Sequence, residues 1–203
     1  MTEPSDLTLL DRWRDGDAAA GEALFLRHFD SIYRFFETKW DAHVDDLVQS
    51  TFLNCLRARD QFRKESSFRT YLFTIARHEL YGALRGRLRD GERLDFELSS
   101  IAELVSTPGT RLARDQEHRQ LIDALRQLPI EQQTLLELHY WDDLDIAALA
   151  EVFEAPQPTI RTRLHRARKA LREKMARVAP RRAFDTLESM DTWARGLSQR
   201  AAR

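Results

Sequence analysis

An all-α fold of two small helical domains joined by a linker is what this sequence predicts, and three observations predict it. Apolar residues recur at three- and four-residue intervals through most of the 203 residues. Glycine and proline number only 7 and 6, too few for a turn-rich β architecture. The helical pattern breaks once, from about Arg87 to Thr110, where Gly91, Ser99, Ser100, Thr107, Pro108 and Gly109 gather with scattered acids.

Each element has a local reason. Ser5 is placed to cap a first helix carrying Leu7, Leu10 and Trp13. Asp17 caps a second, with Leu24, Phe25, His28, Phe29, Ile32, Phe35 and Phe36 on one wide apolar face. Asp45 and Asp46 suit the positive end of a third helix, where Val48, Phe52, Cys55 and Leu56 recur. A basic, polar stretch from Arg57 to Ser66 follows, and Ser66 or Ser67 caps a fourth helix with Phe68, Leu72, Ile75 and Ala76 inside. The break at residues 87–110 reads as a linker holding one short helix near Ile101–Val105. Helical pattern resumes near Arg111 with Leu121, Ile122, Leu125 and Leu128 and stops at Pro129. A helix through Leu135, Leu136 and Leu138 comes next, then a short one capped by Asp145 and bearing Ile146, Leu149, Ala150 and Phe153. The turn Glu154–Gln157 leads to Pro158, a favourable first residue for a last long helix with Ile160, Leu164, Ala167 and Leu171 inside.

Composition bounds the function. Hydrophobic residues are 42% and charged residues 32%, as in a water-soluble globular protein. Cys55 stands alone, which excludes an intramolecular disulfide and a cysteine zinc cluster. The first residues lack the basic start and apolar run of a signal peptide, and no apolar stretch approaches the roughly 20 residues that span a bilayer. A cytoplasmic protein is expected, reaching a membrane only through a partner. His78-Glu79 has no second histidine at zincin spacing, and no glycine-rich phosphate loop, serine elbow or tight acidic cluster stands out. The expectation is therefore no enzyme, no metal and no cofactor.

Two constellations point to nucleic acid. The formal charge of −1 hides eight bases and one acid between Arg161 and Arg177, a net +7. That density suits phosphate neutralisation. A short helix, a turn and a basic helix form a helix-turn-helix, whose second helix enters the major groove. Arg161 and Thr162 would then lie at or near base edges, with Arg163, Arg166 and Lys169 on phosphates. The second constellation is Arg57–Phe73, where bases alternate with Phe62, Phe68, Tyr71 and Phe73 along a loop and helix start. Cations that follow a backbone, beside rings that meet unstacked bases, suit single-stranded DNA. Phe68, Leu72 and Ile75 have core spacing, whereas Tyr71 and Phe73 fit either role.

Asp45-Asp46-Leu47-Val48-Gln49-Ser50-Thr51-Phe52-Leu53, followed by Ser67-Phe68-Arg69-Thr70-Tyr71-Leu72-Phe73-Thr74-Ile75-Ala76-Arg77, resembles region two of extracytoplasmic-function sigma factors. Leu128-Pro129, followed by Thr159-Ile160-Arg161-Thr162-Arg163-Leu164-His165-Arg166-Ala167-Arg168-Lys169-Ala170-Leu171, resembles their region four. The resemblance implies a region-two domain over 1–86, a linker over 87–110, a region-four helix-turn-helix over 111–176 and a C-terminal extension over 177–203. It implies a protein that binds core RNA polymerase and directs promoter recognition, DNA melting and initiation. Asp45, Asp46, Gln49, Phe52 and Asn54 would dock on the β′ clamp, and region four would lie by the β flap. Arg59, Phe62, Arg63, Lys64, Ser66, Arg69, Tyr71, Arg77 and His78 would hold the minus-ten strand. Pro158, Thr159, Arg161, Thr162, Arg163, His165, Arg166 and Lys169 would meet the minus-thirty-five duplex. The linker would thread toward the RNA exit path, and an anti-sigma factor would be the expected regulator. The sequence departs from the family's common residues at His78 (often Asn), Tyr71 (often Trp), Glu154 and Pro158 (often Gly).

Beyond the resemblance, Phe184, Leu187, Met190, Ala194 and Leu197 keep helical spacing. They suit a helix packed on its own domain, or an amphipathic segment that binds a partner or holds the two domains together. A rival functional class is a dimeric helix-turn-helix regulator acting without polymerase. It accounts for the basic helix and leaves the basic-aromatic loop unexplained.

Overall fold

The computed structural model describes residues 3–40, 44–87, 94–105, 116–180, 182 and 184–201. Their helices are α1 (Asp6–Arg14), α2 (Ala18–Glu37), α3 (Val44–Arg57), α4 (Phe68–Gly86), α5 (Ile101–Leu104), α6 (Gln116–Arg126), α7 (Ile130–Tyr140), α8 (Ile146–Val152), α9 (Gln157–Val178) and α10 (Leu187–Ala201). A short 3-10 turn, Arg59–Gln61, lies between α3 and α4. The all-helical class agrees with the sequence pattern.

Polar side chains set four helix starts. Ser5 Oγ accepts the Thr8 N–H at 3.2 Å, Asp17 that of Ala20 at 3.1 Å, Ser67 that of Thr70 at 3.0 Å and Asp145 that of Ala148 at 2.8 Å. Each such cap contributes about 1 kcal/mol by satisfying an orphan donor. Of the two candidate serines before α4, Ser67 is the cap. Pro156 sits at the N-cap of α9, so Pro158 is its second residue rather than its first. The second N–H of a helix also lacks an intrahelical acceptor, so the ring still fits.

α1 to α4 pack around Leu10, Leu24, Ile32, Phe36, Val48, Cys55, Phe68, Leu72, Ala76 and Leu80. Three residues assigned to apolar faces point outward instead: Leu7, Phe29 and Leu56 are all exposed. Leu9 fills the place expected for Leu7. Phe29 lies over the α2–α3 seam, stacked on Phe52 at 6.4 Å, rather than in it. Phe73, undecided from sequence, is fully buried against Phe35. α6 to α9 form the second module around Leu125, Leu136, Leu149, Ile160, Leu164 and Leu171. α10 lays Met190, Ala194 and Leu197 on α6, α7 and α9, so the tail is a helix packed on its own domain.

The modules are docked, with α4 lying along α8. The described part of the linker fills the joint. Phe96 stacks on Tyr81 with centroids 3.9 Å apart, and Ile101 and Val105 are buried. The carbonyls of Phe96 and Ser99 accept the N–H groups of Glu131 and Ile130 at 3.0 and 2.9 Å. The short helix expected near Ile101–Val105 is α5, whereas 88–93 and 106–115, which include much of the linker and the expected start near Arg111, lie outside the described residues.

Two charges meet inside this joint. Lys39, 0% exposed, pairs with Glu137, 2% exposed. Thr38 Oγ1 and Gln133 Nε2 donate to the same carboxylate at 2.9 and 2.8 Å. Arg126 donates to the carbonyls of Thr38 at 3.2 Å and Val105 at 3.0 Å. Burial pushes the Lys39 ammonium below the usual lysine range, and Glu137 opposes the shift. A pair this deep offsets a large desolvation cost only while both partners and their hydrogen bonds are in place. It therefore ties the joint to one geometry.

Candidate nucleic-acid interface

The basic helix α9 buries Ile160, Leu164, Ala167, Leu171 and Met175 and turns the opposite stripe outward. Arg161, Thr162, His165, Arg166 and Lys169 are exposed along it, beside Pro158 at its start. Thr162 donates its hydroxyl to the Pro158 carbonyl at 3.1 Å, and Thr159 is half-buried. Two bases are committed elsewhere. Arg163 pairs with Glu131 and, at 3.1 Å, with Glu97 of the linker. Arg168 pairs with Asp191 of α10 at 3.1 Å. Arg161, Arg166 and Lys169 form no ion pair with a described residue, so their charge faces solvent along one stripe. Such a stripe offers cations to a duplex backbone without any refolding.

The turn before α9 follows from a strained residue. Glu154 takes φ 52°, in the left-handed region that glycine favours. The turn thus closes as a glycine turn would, at a cost of about 1 kcal/mol in backbone strain.

The basic-aromatic loop is braced from α1. Arg14 donates to the carbonyls of Arg59 and Phe62, both at 2.6 Å, and Lys64, itself at φ 60°, pairs with Asp11. Arg59 lies over the Trp13 ring at 5.1 Å and pairs with Asp60. Arg63 is exposed, and Ser66 is half-buried. Phe62 departs from the expected role of a solvent-facing ring, being buried. It stacks on Tyr71 at 4.6 Å and meets Phe68 edge-on at 6.2 Å. Tyr71, half-buried, donates its hydroxyl to the Ala58 carbonyl at 3.3 Å. The ring pair is a floor beneath the loop, whose surface is made by Arg63, Lys64 and the polar residues.

The next face of α4 is covered. Arg69 donates to Asp142 at 2.7 Å, and Arg34 lies 3.7 Å from the same carboxylate. Burial raises the Asp142 pKa above the usual carboxylate range, against the pull of Arg69 and then Arg34. Arg77 donates to the Val152 carbonyl and lies 3.6 Å from Glu154, and His78 meets Glu154 at 3.2 Å. Three of the residues expected on the opened strand are thus held by the turns on either side of α8. Sequence reasoning missed Arg34 and Asp142, because neither stands in a motif and their pairing spans the two modules.

On the far side, α3 exposes Asp45, Asp46 and Gln49 in line with Leu53 and Leu56, next to Leu26 and Phe29 of α2. Leu26 is 68% exposed, and with Phe29, Leu53 and Leu56 it leaves apolar side chains in solvent beside these acids; of the four, the periodicity places only Phe29 and Leu56 on inner faces. Phe52 is half-buried, between Phe25 at 4.7 Å and Phe29. Asn54 turns away from the patch, its amide donating to Glu79 at 2.7 Å. No described helix is long and apolar enough to cross a membrane.

Comparison with known proteins falls on the same two modules. The family description "Sigma-70 region 2" matches residues 25–89 and "Sigma-70, region 4" matches residues 118–171. The RNA polymerase sigma-H factor of Pseudomonas aeruginosa is 28% identical over 183 residues, covering 84% of this chain and 94% of that protein. The ECF RNA polymerase sigma-E factor of Haemophilus influenzae is 26% identical over 181 residues, covering 84% and 95%. In fold, the chain is similar to the sigma factor RpoE of Bartonella quintana, solved with the anti-sigma factor NepR (TM-score 0.59, 24% identity, 76% of this chain and 95% of that one). It is likewise similar to CnrH solved with the cytosolic domain of CnrY (TM-score 0.61, 22% identity, 83% and 95%). With both conserved regions matched in order along one chain, and relatives that align over most of its length, this protein belongs to the sigma-70 family of RNA polymerase sigma factors, in its extracytoplasmic-function branch.

Proposed function

We propose that this chain binds core RNA polymerase and directs promoter recognition, strand opening and the start of transcription, with its two modules taking the two promoter elements. The observation that carries this reading is the pairing, in one chain, of an exposed basic helix with a separate basic loop floored by aromatic rings. One suits a duplex groove and the other a single strand. Residues 1–86 and 111–176 are the two working units, 87–110 joins them, and 177–203 extends the second. The exposed part of α3, with Leu26 and Phe29 beside it, docks on the polymerase clamp. Arg63, Lys64, Ser66, Arg69, Arg77 and His78 hold the minus-ten strand, and α9 reads the minus-thirty-five element.

The docked modules describe the free protein. Engagement of polymerase spreads them, uncovers α4 and sets α9 at promoter spacing. Unstacking costs a few kcal/mol per base, and strand binding offsets it without ATP. An anti-sigma factor is a natural regulator, since RpoE of Bartonella quintana was solved with one.

Run-off transcription with core polymerase on a genomic library tests this reading. Promoter-dependent products requiring the protein are expected. A protein that fails to comigrate with core, dimerises and binds a palindrome alone would instead be the helix-turn-helix regulator. Within the reading, Arg161→Ala should weaken discrimination at a single minus-thirty-five position by about 1–3 kcal/mol, as for loss of one base contact. An unchanged preference across single-base promoter variants removes Arg161 from the base-reading set.

A further inference from the structure

We infer that Asp142 and Glu154 are built-in stand-ins for the phosphates of the opened strand, occupying Arg69, Arg77 and His78 until the modules part. The inference rests on the reading that α4 meets single-stranded DNA, and adds how that face is regulated.

Three observations carry it. First, the contacts are of the type a phosphate would make. Each carboxylate faces cationic or hydrogen-bonding groups of the first module, and no other described acid lies within ion-pair distance of them: Asp142 takes Arg69 of α4 and Arg34 of α2, and Glu154 takes Arg77 and His78 of α4. Second, both acids come from the turns that bracket α8, the first helix of the helix-turn-helix. Closing the strand-binding face therefore uses the duplex-reading module itself, and one opening motion frees both. Third, Glu154 stands at φ 52°, where glycine would be unstrained. Its side chain is largely exposed, so it contributes little to packing. What the residue supplies, in return for the strain, is a carboxylate beside Arg77 and His78.

The two contacts divide the work. Asp142 is buried and held by two guanidiniums, so it fixes the docked position. Glu154 is solvated, and an exposed pair of this kind is weak and salt-screened. It acts as a competitor that a polyanion displaces, more than as a lock.

The test uses the full chain and a fluorescent single-stranded dT12 oligonucleotide, followed by anisotropy at fixed ionic strength. Asp142→Asn combined with Glu154→Gln keeps both side-chain volumes and removes both charges. This variant should bind the oligonucleotide at least tenfold more tightly than the natural chain. Adding Arg77→Ala should return most of that gain. Glu154→Gly alone, at an exposed turn where glycine suits the backbone, serves if Asp142→Asn fails to fold, and should still bind about threefold more tightly. Unchanged affinity in a folded variant overturns the inference. A parallel measurement on the complex with core polymerase separates it from the reading beneath it. If Arg77→Ala leaves capture of a forked promoter unaltered there, α4 does not meet the strand and the reading itself falls. If Arg77→Ala weakens capture but the charge-removed chain gains nothing when free, only the stand-in role falls.

Discussion

Lys39→Met is expected to part the two modules while leaving each folded. The substitution keeps side-chain length and removes the charge. Glu137 then remains in the joint with Thr38 and Gln133 as its donors and no cation. Removing one partner of a buried pair costs about 3–5 kcal/mol, mostly the penalty of the charge left behind. At about 1.4 kcal/mol per tenfold, that moves the docked–open balance by about a hundredfold to several thousandfold. The cost falls on docking because the pair joins the segment just after α2 to α7, across the joint. The two cores, around Phe36 and Leu72 in one module and Leu136 and Leu164 in the other, are not touched. Far-UV circular dichroism should therefore be retained while the intermodule distance grows. The double variant Lys39→Met with Glu137→Leu should dock again, since replacing both charges by apolar groups is near neutral or stabilising. A Lys39→Met protein as tightly docked as the natural chain would show that the pair does not order the joint.

Ending the chain after Ala179 is expected to destabilise the duplex-reading module by about 4–6 kcal/mol. The figure follows from re-exposing Met190, Leu197 and Ala194 contacts together with the surfaces they cover, at about 1.5–3 kcal/mol per large side chain. Polar contacts go with them. Tyr140 donates to Asp191, Arg195 donates to His139 at 2.7 Å, and Trp193 donates to Glu117 at 3.4 Å. For a module of this size the melting temperature should fall by at least about 15 °C. Calorimetry of the truncated and full chains checks it. An unchanged transition would mean that α10 serves a partner rather than its own domain.

His139 gives this contact a pH sign. Its Nδ1–H donates to the Leu144 carbonyl at 3.0 Å, so Nε2 is free to accept from Arg168 at 2.9 Å and from Arg195. Burial lowers its pKa, the two arginines add to the shift, and the Leu144 hydrogen bond and Asp191 oppose it. As pH falls below the usual imidazole range, the unfolded chain takes a proton that the folded chain resists. Stability should therefore drop on acidification, and drop less in the truncated protein, which lacks Arg195 and the covering helix.

The sequence made local features legible. Ser5, Asp17, Ser67 and Asp145 cap their own helices, and the inner face of α9 is spaced at regular helical intervals, because each depends on neighbours a few residues away. The exposed stripe of α9 was visible for the same reason. What remained hidden depends on residues far apart. Lys39 reads as an ordinary base after a helix and Glu137 as an ordinary helix acid, and only docking, across 98 positions, makes them a buried pair. Asp142 and Arg34 are invisible in the same way. Phe62 and Phe29 show the limit of periodicity. Both are aromatic and lie near a seam, yet α1 and α4 close over one while the other is left on the rim. Three-dimensional packing decides which ring is floor and which is surface.

Energy transfer between dyes on Glu22→Cys and Glu173→Cys reads whether polymerase parts the docked modules, since these exposed positions lie on opposite modules. The native Cys55 is buried, with its thiol pushed up to about 12, and stays unlabelled. High transfer is expected in the free protein, with a clear fall when core polymerase binds, in complexes that initiate at a promoter. Transfer that is already low in the free chain, or that stays high in an initiating complex, would contradict that expectation.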